Sequence, residues 1–97
     1  MAVSLSDAAM PSPDEVLTEL RSMMEAEFGL RPENIEPSMH LVDDLDLDSI
    51  DLVDLAVSLE ERSGVKLDED ELKAVRTVED AVRVIRSTIA RRRAASA

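Results

Sequence analysis

The chain contains no cysteine, tryptophan or tyrosine, and its single aromatic residue is Phe28. Without cysteine there are no disulfides and no thiolate metal sites, so any thiol chemistry must use a thiol brought in from outside. With one aromatic ring there is no stacking platform for single-stranded nucleic acid. Long apolar runs are missing as well, none exceeding three residues. Neither a signal peptide nor a membrane span is therefore expected, and a cytoplasmic protein is. Positive charge is scarce, with 11 Lys and Arg against 22 Asp and Glu for a formal net charge of −11. That balance disfavours nucleic acid and anionic membranes as partners and makes a basic protein surface the natural complement.

What is present is helical. A chain of 97 residues has room for one core, with a radius of about 12–13 Å. Residues 1–11 show no apolar period and are expected to be a flexible leader. Ser12-Pro13-Asp14-Glu15 then combines an N-cap, a proline at the first helical position and a glutamate three residues after the cap. Val16, Leu17, Leu20, Met23, Met24 and Phe28 follow at helical spacing, and Gly29 supplies a stop. The methionine pair is core filler on this period. From Leu30 to Asp48 the pattern breaks around Pro32 and Pro37, with Ile35, Met39, Leu41 and Leu45 as scattered apolar pins. A loop that long inside a small domain is an ordered, functional one when it is pinned in this way.

A second helix is predicted from about Ser49 to Ser63, with Gly64 as its stop. Leu52, Leu55, Ala56 and Leu59 form its core stripe. Ile50, Asp54, Val57 and Glu61 share another face, where aliphatics sit among acids and suggest a docking surface. A short third helix is predicted around Asp68 to Ala74, anchored by Leu72 after a lead-in through Val65 and Leu67. Thr77-Val78-Glu79-Asp80 opens a fourth, with Val78, Ala81, Val82, Ile85 and Ile89 as its stripe. Arg86, Arg91, Arg92 and Arg93 complement its negative C-terminal end. No strand-like alternation competes, so the fold class is all-α, a bundle of three longer helices and one short one. The domain is expected to span 12–90, followed by a flexible basic tail at 91–97.

Ser49 is the candidate functional residue. Asp48 is placed to cap the second helix and Asp51 to complete a capping box, which leaves the Ser49 hydroxyl exposed near the positive end of the helix dipole, where an attached phosphodiester is favoured. A serine nucleophile needs a base and an oxyanion hole, and the only histidine, His40, lies in a proline-flanked loop with no evident orienting partner. No catalysis is expected.

These residues resemble the acyl carrier proteins and the related peptidyl carrier domains over about Pro13 to Ile89. The resemblance rests on the Asp48-Ser49-Ile50 step, the acidic second helix, the helix lengths, the long first loop, and Thr77-Val78 at the start of the last helix. It implies a four-helix bundle of acyl-carrier type with the long loop between helices one and two. It also implies 4′-phosphopantetheine from coenzyme A attached to Ser49 by a phosphopantetheinyl transferase, with Asp48 helping to position Mg²⁺ during transfer. Acyl groups are then held as thioesters for acyl-transferring and acyl-modifying enzymes of fatty-acid, polyketide or related lipid biosynthesis. Ile50, Asp51, Asp54, Val57, Glu60 and Glu61 match positions that meet basic partners. Where many fatty-acid carriers have a glycine and a small residue before Asp-Ser, this chain has Asp46-Leu47, a form closer to specialised stand-alone carriers and expected to act as a monomer.

Two other readings compete. Asp44, Asp46 and Asp48 have the 1, 3, 5 spacing of an EF-hand loop, but position six is Ser49 instead of glycine and position twelve is Leu55 instead of glutamate. No resident metal is expected. An unmodified acidic helical adaptor would use the same acidic face without an arm. It is the stronger rival, and a peptidyl or aminoacyl carrier is a variant of the first reading.

Overall fold

The structure, a computed structural model, describes residues 11–96 apart from residue 65. Four α-helices are present: α1 Pro13–Phe28, α2 Ser49–Ser63, α3 Glu69–Ala74 and α4 Val78–Ser96. The leader expected at 1–11 lies, except for Pro11, outside the described residues.

Local chemistry sets each boundary. Ser12 Oγ accepts from the Glu15 N–H while Glu15 accepts from the Ser12 N–H, the reciprocal box that satisfies two orphan donors of α1. Gly29 and Gly64 close α1 and α2 with left-handed φ of 70° and 71°, a conformation open to glycine without steric penalty. At α4 the box is Thr77 with Asp80, each side chain accepting from the other's backbone N–H. Asp80 Oδ2 also accepts from the Arg76 N–H.

α1 packs against α4 and α2, and α3 packs against α4. Val16, Leu20, Met23 and Met24 of α1, Leu55 and Leu59 of α2, and Val78, Ile85 and Ile89 of α4 are buried together, each contributing about 1.5–3 kcal/mol. Leu72 and Leu52 are only half-buried against this core. α3 is shorter at its start than expected by one residue, because Asp68 serves as its cap and accepts from the Asp70 N–H. α4 runs past position 90 to Ser96. The expected tail at 91–97 is thus helical through residue 96: arginine and alanine favour helix, and cations suit its C-terminal end.

The long connection from residue 30 to 48 is tied down by its backbone. It contains a 3₁₀ turn at Pro32–Asn34, and Arg21 Nε donates to the Ile35 carbonyl at 2.8 Å. Leu41 N donates to the Arg76 carbonyl, while Val78 N and Glu79 N donate to the carbonyls of Met39 and Pro37. First-turn donors of α4, which have no intrahelical acceptor, are thereby used to fix the loop. Ile35 and Leu41 are buried, as is Leu47, which the spacing alone did not single out.

Candidate functional site

Ser49 is the first residue of α2 and is exposed. Asp48 caps the helix: its Oδ1 accepts from the Asp51 N–H at 2.9 Å, and Asp51 Oδ2 accepts from the Asp48 N–H at 3.1 Å. This box fixes the serine at the helix entrance without consuming its hydroxyl. Asp48 Oδ2 has no donor among the described residues, so the residue preceding Ser49 keeps one carboxylate oxygen free.

The backbone reaches this cap through Asp46, the one non-glycine residue with positive φ among those described, at 59°. Aspartate tolerates the left-handed region better than most residues. The turn that a glycine usually makes is therefore kept, Leu47 is directed into the core, and Asp48 and Ser49 emerge at the surface.

Ser49 also forms part of the rim of a partly open cavity of about 410 Å³, within the usual range for small-ligand pockets. Its wall is mainly aliphatic, drawn from Leu52, Leu55 and Leu59 of α2, Val75, and Val84 and Ile85 of α4. A more open groove of about 970 Å³ between the far end of α2, α3 and the end of α4 does not include Ser49.

The expected docking residues divide into two groups. Ile50 is 71% exposed and Val57 45%, while Asp54 and Glu61 are exposed and their carboxylates accept no hydrogen bond among the described residues. Asp51 and Glu60 are more engaged: Asp51 is in the capping box, and Glu60 Oε2 accepts from the Leu67 N–H at 2.9 Å, tethering the α2–α3 link. The face is also more apolar than the sequence reading had it, since Val53 is 59% exposed; in the preceding loop Val42 is 46% exposed. Val53 follows Ile50 by three residues, a spacing that could have revealed it. Val42 gave no signal, because loop residues have no period.

His40 does have partners. Its Nδ1 accepts from the Val42 and Asp43 N–H groups, and its own N–H donates to Asp44 Oδ2. The imidazole caps a turn, and the Nδ1 lone pair a base would use is occupied. The calcium-loop spacing has no counterpart in space: the Asp44 and Asp48 carboxylates serve backbone N–H groups, and no metal-binding cluster of acids and histidine exists among the described residues. Asp80 has its carboxyl pKa lowered by its neighbours. The Thr77 and then the Arg76 backbone N–H hold it below the ordinary value of 3.8, against the opposing effect of partial burial.

Residues 18–85 match the family model described as "Phosphopantetheine attachment site". Acyl carrier protein 2 of Ralstonia nicotianae is 42% identical over 76 residues, which is 78% of this chain and 94% of that protein. The meromycolate extension acyl carrier protein of Mycolicibacterium aurum is 38% identical over 74 residues, 76% of each chain. Among solved structures, an acyl carrier protein from Enterococcus faecalis aligns over 80% of this chain and 99% of that one at 24% identity, with a TM-score of 0.65, which shows a shared fold. Matched over most of its length by this family model and these relatives, the chain belongs to the acyl carrier proteins, carriers with a covalently attached 4′-phosphopantetheine that catalyse nothing themselves and are served by phosphopantetheinyl transferases and acyl-handling enzymes.

Proposed function

We propose that Ser49 bears the arm and that this protein acts as a monomeric, cytoplasmic carrier dedicated to particular enzymes of fatty-acid, polyketide or related lipid biosynthesis. The observation that carries the reading is the exposed Ser49 hydroxyl, fixed at the entrance of α2 on the rim of an apolar cavity. The fit is sterically and electrostatically sound: the hydroxyl is accessible, the helix dipole favours the phosphodiester, and the free oxygen of Asp48 is available to Mg²⁺ during transfer. When attached, the arm supplies a terminal thiol on which an acyl group is held as a thioester. Leu52, Leu55 and Ile85 give that group an apolar wall. Its burial against that wall is favourable by about 0.8 kcal/mol per methylene.

Recognition is assigned to the α2 face. Ile50, Val53 and Val57 supply desolvation, Asp54 and Glu61 steer a basic patch on a partner, and Asp51 and Glu60 add charge while holding the ends of the helix. Nucleic acid and membrane insertion have no part in this reading, and no helix among the described residues is long and apolar enough to cross a membrane. The Asp46-Leu47 step supports a specialised carrier over a housekeeping one. The Mycolicibacterium aurum relative is named for meromycolate extension, and a long apolar substrate suits the aliphatic pocket here. The test is intact mass of the protein from its native host. A gain of phosphopantetheine, with or without an acyl group whose mass names the pathway, supports the reading, whereas the bare polypeptide mass supports an unmodified acidic adaptor.

A further inference from the structure

Ser49 stands at a boundary between charges of opposite sign. No Lys or Arg occurs from Pro32 to Glu61, and six acids, Asp43, Asp44, Asp46, Asp48, Asp51 and Asp54, crowd the serine in sequence. Yet among the described residues no Asp or Glu lines the cavity whose rim Ser49 forms. The polar part of that lining is Ser49 itself, His40, Lys73 and Arg76. In a chain with 22 acids and 11 Lys and Arg, this is a local reversal of charge. It is built from elsewhere in the fold, by Lys73 in the last turn of α3 and Arg76 in the link to α4.

Both residues are exposed although both line the cavity, a combination open to long side chains that pack an aliphatic stem and keep the charge in water. Among the described residues neither takes part in an ion pair. Arg76 Nη1 donates to the Lys73 carbonyl at 2.8 Å, which holds the guanidinium at the end of α3 and leaves its other N–H groups without an acceptor there. Nδ1 of His40 is already an acceptor for two backbone N–H groups, so the imidazole can offer an anion only a neutral Nε2–H, and Lys73 and Arg76 are the cationic groups of this lining.

We propose that Lys73 and Arg76 are positioning residues that pair with the phosphodiester joining the arm to Ser49 Oγ, and so bias the loaded arm toward the cavity instead of solvent. The inference rests on Ser49 being the attachment residue. A phosphodiester at that oxygen is repelled by the acids of the loop and of α2, and attracted by two cations on the cavity side. The apolar wall then receives the acyl chain. A basic partner docking on the α2 face brings competing cations to the phosphate and weakens the latch where the chain must be delivered.

The experiment uses the whole protein loaded by a phosphopantetheinyl transferase with octanoyl-coenzyme A, and in parallel with its eight-carbon ω-carboxy counterpart, suberyl-coenzyme A. Thioester cleavage by hydroxylamine is followed from about 0.02 M to about 0.5 M NaCl, and the ³¹P resonance of the arm is recorded. Wild type, Lys73→Gln, Lys73→Gln with Arg76→Gln, and Lys73→Arg are compared. Lys73→Gln leaves the Arg76 bond to α3 intact and keeps the test valid should the double variant fold poorly. The latch predicts octanoyl cleavage about three- to tenfold faster in the double variant at low salt, a smaller increase in Lys73→Gln and rescue by Lys73→Arg. Salt should accelerate cleavage in wild type but not in the double variant, and the ³¹P resonance should move between the two. Equal cleavage rates and an unmoved ³¹P resonance overturn the latch. So does an effect confined to the suberyl form, which would assign the cations to an acyl carboxylate. Failure of wild type to accept any arm would overturn the Ser49 reading beneath it, a result that intact mass separates from the others.

Discussion

Replacing Asp46 tests how the chain makes the turn into Ser49 without the usual glycine. Its φ of 59° lies in a region that costs an L-residue about 1–2 kcal/mol, with aspartate, which visits it more readily than most residue types, toward the low end. Glycine removes that strain but loses about 0.4–1 kcal/mol through the greater freedom of the unfolded chain. Asp46→Gly should therefore stabilise the protein slightly, by about 0.5 kcal/mol. Asp46→Ala, a residue type that enters the left-handed region less readily than aspartate, should fall about 1 kcal/mol below the glycine variant. Asp46→Asn keeps tolerance of the left-handed region while removing one charge from the acidic segment, so it separates the electrostatic part from the backbone part. For a domain of this size about 1 kcal/mol moves the melting temperature by roughly 4–8 °C. Thermal melts followed by circular dichroism suit a chain without Trp or Tyr. An alanine variant as stable as the glycine variant would show that the backbone at Asp46 is not left-handed in solution, and the explanation of the Asp46-Leu47 step would be withdrawn.

On the docking face, Asp54→Lys and Glu61→Lys should slow association with a basic partner and flatten its salt dependence, whereas Ile50→Ala should act mainly on dissociation; identical kinetics in all three and wild type would place the face elsewhere. The ten acids between Glu33 and Glu61, with no intervening Lys or Arg, should make the melting temperature rise with NaCl toward about 0.15 M, where the screening length is about 8 Å, and rise further with millimolar Mg²⁺; a flat or falling curve refutes self-repulsion as a governing effect. Asp80 has a folded-state pKa below its ordinary 3.8, so its stabilising contribution is complete above that value and is lost as pH falls through the lower one. Asp80→Asn should therefore be less stable than wild type at neutral pH and converge with it on the acid side; a gap of constant size across that range would remove the carboxylate from the explanation.

Much of this was legible because it is encoded locally. The Ser12 and Asp48 caps, the glycine stops at 29 and 64, and the stripes of α1, α2 and α4 depend on residues within a few positions of one another, and the structure places them where the spacing did. The place of Ser49, exposed at the start of α2 behind its cap, was legible for the same reason, since cap and helix are contiguous with it. What stayed hidden depends on contacts far apart in sequence. The role of His40 as a turn cap, the anchoring of the loop by donors of α4, and the arrival of Lys73 and Arg76 at the rim of the Ser49 cavity have no local period to announce them. Val42 belongs with these. The continuation of α4 to Ser96 was missed for another reason: cations at a helix end read equally well as a helix terminus or as a tail, and helix propensity decides in favour of the former.

The central claim, that Ser49 is the single attachment point, is tested most directly by incubating wild type and Ser49→Ala with a phosphopantetheinyl transferase, coenzyme A and Mg²⁺, and reading intact mass. The serine is exposed and its hydroxyl is not used by the core, so both proteins should show the same helical circular dichroism. Wild type should gain one phosphopantetheine and the alanine variant none. An undiminished yield in Ser49→Ala, or modification mapped to Ser58 instead, would contradict the account.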